Sequence, residues 1–236
     1  METSLYAAFG LGLILGVKHA LDADHVIAVS TIVSEHQSLK WASLIGAFWG
    51  LGHTATLLAV GLAVILLRLT IPVRVALGLE FLVALMLIFL GVSILWRSLK
   101  ADKLHLHPHE HNPRSHAHFH VHGNPQEDHA HAHPFGSMRK PFIIGMVHGL
   151  AGSAALMLVV LSTIPSAIAG LAYIAIFGLG SVGGMLVLSS VIGLPFILTA
   201  RRFTLLNRWI KVVAGTASVG FGLILGWEIG FQQGLF

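Results

Sequence analysis

Apolar residues fill most of this chain in long runs, and polar residues gather between them. Segments at roughly 4–34, 41–68, 75–99, 141–163, 166–200 and 208–234 are each apolar enough to cross a bilayer, which takes about 20 residues of helix. The first and fifth are longer than one straight span, so a break, a tilt or a re-entrant stretch is expected in each. Between the third and fourth runs lies a polar stretch, 101–140. Its Pro108, Pro113, Pro125 and Pro134 and its alternating His argue against ordered secondary structure there. The expected fold is an all-α polytopic membrane protein with about six transmembrane helices.

The runs repeat. Gly16-Val17-Lys18-His19-Ala20-Leu21 matches Gly145-Met146-Val147-His148-Gly149-Leu150, an offset of 129. Trp49 to Thr54 (WGLGHT) matches Phe177 to Val182 (FGLGSV) at an offset of 128, and the third runs end in similar stretches at Trp96 and Trp227. Three helices per repeat is an odd number, so the second copy would insert upside down. Two inverted three-helix repeats are expected, 1–100 and 141–236, joined by the His-rich stretch 101–140. Transporters often have this architecture, with the substrate between the repeats near the midplane.

Composition sharpens this picture. Of 236 residues 55% are hydrophobic and 10% charged, and the mean hydropathy is +0.82. Soluble domains carry about 25% charged residues. The start METSLYAAFGLGLILG lacks a basic n-region, so it reads as a membrane helix and not as a removed signal peptide. Cysteine is absent, which excludes disulfides, thiolate metal sites and a thiol nucleophile. The net charge of +4 sits in residues flanking the apolar runs, which marks orientation and not nucleic-acid binding. One set of loops holds Lys40, Arg97, Lys100, Lys103, Arg114, Arg139, Lys140, Arg201, Arg202, Arg208 and Lys211, against Arg68 and Arg74 on the other side. The basic side is expected to be cytoplasmic, which puts both termini outside an inner (plasma) membrane and the His-rich loop inside.

The first run contains GVKHALDADHVIAVSTIV, with Lys18, His19, Asp22, Asp24 and His25 in eight positions. Each ionisable group costs about 2.5–3.5 kcal/mol at a bilayer centre, so five together demand a role. Imidazoles and carboxylates suit divalent transition metals. On a regular helix His19, Asp22 and His25 fall within about 120° of arc, whereas Asp24 lies about 140° from His19. A break there would bring Asp24 in as well. His53, in GLGHTAT, is the expected partner from the second run. The candidate metal ligands are therefore His19, Asp22, Asp24, His25 and His53, with His148, Thr54, Ser153 and Lys18 as further pathway residues. At the repeat positions of Asp22, Asp24 and His25 stand Ala151, Ser153 and Ala154, so the second half is expected mainly to shape the path. Lys18 is expected to pair with Asp22, Asp24 or Glu80, or to snorkel. Glu80 itself is expected at the interface. The loop His, at 105, 107, 109, 111, 116, 118, 120, 122, 129, 131 and 133, could store, sense or hand over metal.

KHALDADHVIA followed by GLGHTAT resembles the nickel/cobalt transporter (NiCoT) family of the NicO superfamily. The matching residues are His19, Asp24 and His25 of an H-x4-D-H pattern and Leu51-Gly52-His53-Thr54 of an L-G-H-S pattern. Lys18 replaces the family's Arg, six spans replace the eight of larger members, and GMVHGLAGSAAL stands where an acidic D-T-A-T-E motif is usual. In these respects the chain is most similar to the short nickel permeases that accompany urease accessory genes. The resemblance implies import of Ni2+ or Co2+ for enzymes such as urease or hydrogenase, with membrane lipid, the ion and a cytoplasmic nickel chaperone as partners. No cofactor and no enzymatic activity are expected. Alternatives are an efflux permease, an intramembrane metalloenzyme, for which H-E-x-x-H is lacking, and a metal sensor. G-x4-G-K-[ST] is also lacking, so the chain carries no nucleotide drive of its own.

Overall fold

The long apolar run at the N terminus does not form one helix. The computed structural model describes residues 2–36, 38–67, 69, 71–100, 105–109, 116–120, 138–151 and 166–236. Helix α1 (Glu2–His19) stops at His19, and α2 (Ala23–Val33) begins after the turn Ala20-Leu21-Asp22. Two i→i+3 bonds close α1, Leu21 N–H to Lys18 O (2.9 Å) and Asp22 N–H to His19 O (3.1 Å). Asp22 is extended (φ −61°, ψ 148°) and re-aims the chain into α2. Asp24 occupies the first turn of α2 and accepts the His25 N–H at 2.9 Å. This satisfies one of the free donors that every helix start exposes, where a carboxylate is electrostatically favoured.

The remaining helices are α3 (Leu39–Leu67), α4 (Val73–Lys100), α5 (138–151 as described), α6 (Ala167–Arg202) and α7 (Thr204–Trp227), which continues into a π turn over Glu228–Gln232. Four of them, α3, α4, α6 and α7 with its π turn, are long and apolar enough to cross a membrane. The protein is thus an all-α membrane protein with the broken α1–α2 pair packed into its body. Of the break, tilt or re-entrant stretch expected in the fifth run, the break is not found, since α6 is continuous over 36 residues despite Pro195. Near that proline, side chains engage the backbone. Thr199 donates to Pro195 O (2.7 Å), and Asn207 of α7 donates to Phe196 O (2.9 Å). The fourth expected run is described only to residue 151, and 152–163 lies outside the described residues.

The His-rich stretch corrects another expectation. Two short strands, β1 (His105–His109) and β2 (His116–His120), pair antiparallel, with His107 opposite His118 and Pro108 opposite Ala117. Alternation of residue types at period 2 favours a strand, and a two-stranded ribbon has only edges, where a proline is tolerated.

Glycine lets the helices approach backbone to backbone. A Cβ at Gly16 would strike the Phe177 carbonyl, and one at Gly145 would strike the Trp49 carbonyl. Gly180 likewise meets Leu13 O, and Gly52 meets Phe142 O. These contacts set α1 parallel to α6 and α3 parallel to α5. Helices α3 and α6 run antiparallel, since Ser43 bonds Ser190 (2.8 Å) and Thr54 bonds Gly178 O (3.2 Å). Helices α4 and α7 also cross antiparallel, with Gly91 against Gly215, Ser218 donating to Leu87 O (2.8 Å) and Gly222 against Ala84. The buried core formed by Ala28, Val29, Ile45, Trp49, Leu87 and Met185 seats the α1–α2 break among α3, α4, α5 and α6.

Candidate metal centre

The break brings the polar residues of the first run together with His from α3 and α5. His25 and His53 are fully buried and His148 is 2% exposed. Ring centroids lie 4.0 Å apart for His25–His148, 4.6 Å for His19–His25 and 5.1 Å for His19–His53. Two overlapping groups have ligand atoms within 4.8 Å of one another, His19/His25/His53 and Asp24/His25/His148.

Carboxylates fix the ring tautomers, because an ionised carboxylate only accepts. His25 Nδ1–H donates to Asp24 Oδ1 at 3.0 Å, and His148 Nε2–H donates to Asp24 Oδ2 at 2.7 Å. His19 Nδ1–H donates to Asp22 Oδ2 at 2.8 Å. In neutral rings this leaves lone pairs on His25 Nε2, His148 Nδ1 and His19 Nε2. Among the described residues the first two are buried with no hydrogen-bond partner, as are His53 Nδ1, Trp49 Nε1 and Ser181 Oγ. His19 Nε2 faces His53 Nε2 at 3.2 Å. Two nitrogens on one metal with bonds of about 2.1 Å stand about 3.0–3.4 Å apart, so this pair already has the spacing of a coordination edge. A His that donates its second N–H to a carboxylate is the usual arrangement around bound metals.

All the residues expected from sequence except Ser153 lie among the described residues. His19, Asp24, His25 and His53 converge. Asp22 is in neither group, and its half-exposed side chain touches the cluster only through His19. The helical-wheel projection that grouped it with His19 and His25 does not apply across the broken turn. His148 joins the cluster and holds Asp24 from the other half of the chain. Thr54 bonds Gly178 O and so serves helix packing. Lys18 is exposed and makes no ion pair among the described residues. Ser153 lies outside the described residues. Elsewhere Arg97 of α4 donates to the Glu35 carboxylate, just beyond α2, at 2.6 Å.

Two aromatic residues were missed as site components. Trp49 stacks on His25 (6.0 Å, 18° between planes) and lies 5.7 Å from His148. Phe177, at the repeat position of Trp49, lies 5.5 Å from His19. Ser181 occupies the repeat position of His53, a correspondence present in the WGLGHT/FGLGSV match. Glu80 is not interfacial alone. It lines a cavity of about 210 Å³ with His19, Asp24, Val83, His148, Ala151 and Leu225.

Fold and site together define a polytopic helical membrane protein with a buried imidazole–carboxylate cluster of metal-ligand type. The chain is 41% identical over 240 residues to the urease accessory protein UreH of Bacillus sp. (strain TB-90), an alignment covering 100% of this chain and 97% of that one. It belongs to the UreH family of urease accessory proteins. No family model matches the chain, and no solved structure matches it.

Proposed function

We propose that the protein is a secondary-type permease that carries Ni2+ (or Co2+) into the cell, and that it is not an enzyme. The observation that carries this reading is the convergence of four imidazoles, three of them oriented by carboxylates, inside an apolar helical body. Neutral imidazole suits first-row divalent ions, whereas Mg2+ and Ca2+ prefer oxygen. The absence of cysteine argues against Cu(I). Urease is a nickel enzyme, so membership of a urease accessory family favours nickel as the cargo, as does the NiCoT-type motif at His19, Asp24, His25 and His53. A cytoplasmic nickel chaperone is the natural recipient.

On this reading an arriving ion exchanges water for His19, His25 and His53 nitrogens, with the His53 proton passing to Nδ1. Asp24 holds His25 and His148 in place and offsets charge. A potential of 100 mV, negative inside, drives a divalent ion inward by about 4.6 kcal/mol. We read residues 1–100 and 141–236 as inverted repeats that rock about this cluster. Helix directions support that reading, since α1 parallels α6, α6 opposes α3 and α3 parallels α5, so α1 and its counterpart α5 oppose each other. The contacts are also reciprocal at the repeat offset, Gly16 on Phe177 and Gly145 on Trp49. Alternating directions with the basic loops on one side are consistent with both termini outside and 101–140 in the cytoplasm.

The test is 63Ni2+ flux into proteoliposomes containing the full chain, together with nickel content of expressing cells. Wild-type flux that is lost in His19→Ala and His53→Ala, with raised cell nickel, supports import. Lowered cell nickel would mean efflux, and flux unchanged in both variants would remove the site assignment.

A further inference from the structure

Glu80 sits on α4, a helix whose apolar stretch crosses the bilayer, and among the described residues its carboxylate has no hydrogen bond or ion pair. A half-buried acid in such a helix is costly unless something compensates it. Its cavity is lined by the polar His19, Asp24 and His148 and by the apolar Val83, Ala151 and Leu225. His148 is almost wholly buried, lines this cavity, and has its Nδ1 without a partner among the described residues.

A bare divalent ion needs little space, and a cavity of about 210 Å³ leaves room for an ion together with water around it. It also carries two carboxylates, Asp24 and Glu80, which match a charge of +2. An ion that enters the tight nitrogen cluster must first shed water, and dehydration is easier if the hydrated ion is already held at the point of exchange. Oxygen acceptors facing a water shell bind through hydrogen bonds to the waters and do not discriminate between metals, whereas the neighbouring imidazoles do.

We infer that the cavity between Glu80 and the His19/Asp24/His148 face is a second cation station, one that holds a divalent ion with its water shell before or after the dehydrated ion occupies the His19/His25/His53 cluster. The inference rests on the permease reading for its place in transport, but the site itself does not. Glu80 acts here as a binding residue for hydrated cations, and Ala151 keeps the space open for the shell.

The probe is hexaamminecobalt(III), which mimics a hydrated ion, keeps its six ligands and so cannot coordinate the imidazoles of the His-rich stretch. Its binding to the purified full chain is measured by calorimetry, and its inhibition of 63Ni2+ flux is measured in proteoliposomes. Glu80→Gln keeps shape and removes charge, and Ala151→Leu keeps charge and removes space. Both variants should bind the probe at least tenfold more weakly and lose inhibition by it. Their flux at limiting Ni2+ should fall about tenfold, and Glu80→Asp should recover part of it. Probe binding equal to wild type in both variants would overturn the station. If wild type carries no Ni2+ but Glu80→Gln still abolishes probe binding, the permease reading fails and the station stands.

Discussion

Replacing Asp24 by Asn separates a carboxylate that organises the cluster from one that is idle. Asn keeps the size and one carbonyl oxygen, so it can still accept from His25 N–H and Nδ1–H, now at 2.9 and 3.0 Å from Oδ1. The other atom becomes an NH2 aimed at His148 Nε2, 2.7 Å from Oδ2 in the wild type. Two donors cannot share that line, so His148 must turn to its other tautomer and protonate Nδ1, which destroys the lone pair offered to a cation. The lost bond is charge-assisted and worth about 1.5–3 kcal/mol. Loss of an orienting partner behind a metal-binding His typically lowers affinity by about 10–100-fold, or about 1.4–2.7 kcal/mol. Trp49 supplies a local assay, because its ring stacks on His25 at 6.0 Å and a bound Ni2+ there should quench it. Four other Trp contribute background, which a parallel titration of Trp49→Phe subtracts. The Trp49 component should titrate with Ni2+ in both proteins, with the Asp24→Asn midpoint raised by one to two decades. An unchanged midpoint would refute the orienting role. Complete loss of quenching in a folded protein would refute it in the other direction, making Asp24 a direct ligand.

Asp22→Asn should shift the same midpoint by less than tenfold, since Asp22 is half-exposed and reaches the cluster only through His19. Gly16→Ala and Gly145→Ala each drive a methyl into a facing carbonyl. They should lower the thermal midpoint in detergent by the equivalent of at least about 1–3 kcal/mol, whereas Gly78→Ala, with open space around it, should not lower it. Equal midpoints for all three would refute the close-packing argument. Glu35→Gln breaks the pair with Arg97, whose side chain is 61% exposed. Screening limits such a pair to about 1 kcal/mol or less, so a large stability loss would show that the pair does more than brace α2 on α4.

Much of this arrangement was readable because it is local. The sequence K-H-A-L-D-A-D-H announces both a break and a ligand cluster, since an Asp that prefers helix starts follows a helix already under way. The glycine matches between halves were also legible, and Gly16, Gly145, Gly52 and Gly180 each prove to be a place where one helix backbone meets another. What stayed hidden depends on distance across the fold. His148 looked disarmed because its own half lacks the acids of the first, yet Asp24 reaches it from α2 across 124 residues of sequence. Helical projection placed Asp22 beside His19 and His25 by assuming regular backbone through the very turn that Asp22 opens. Glu80 looked interfacial from its position near the start of α4. Its cavity exists because α1 stops short and α2 resumes on a new path, and no window of α4 sequence encodes that gap. The site is asymmetric for the same reason. One half supplies the broken helix, its acids and three of the imidazoles and the other supplies His148, so any motion of α5 against α2 must strain or break the 2.7 Å bond between His148 and Asp24.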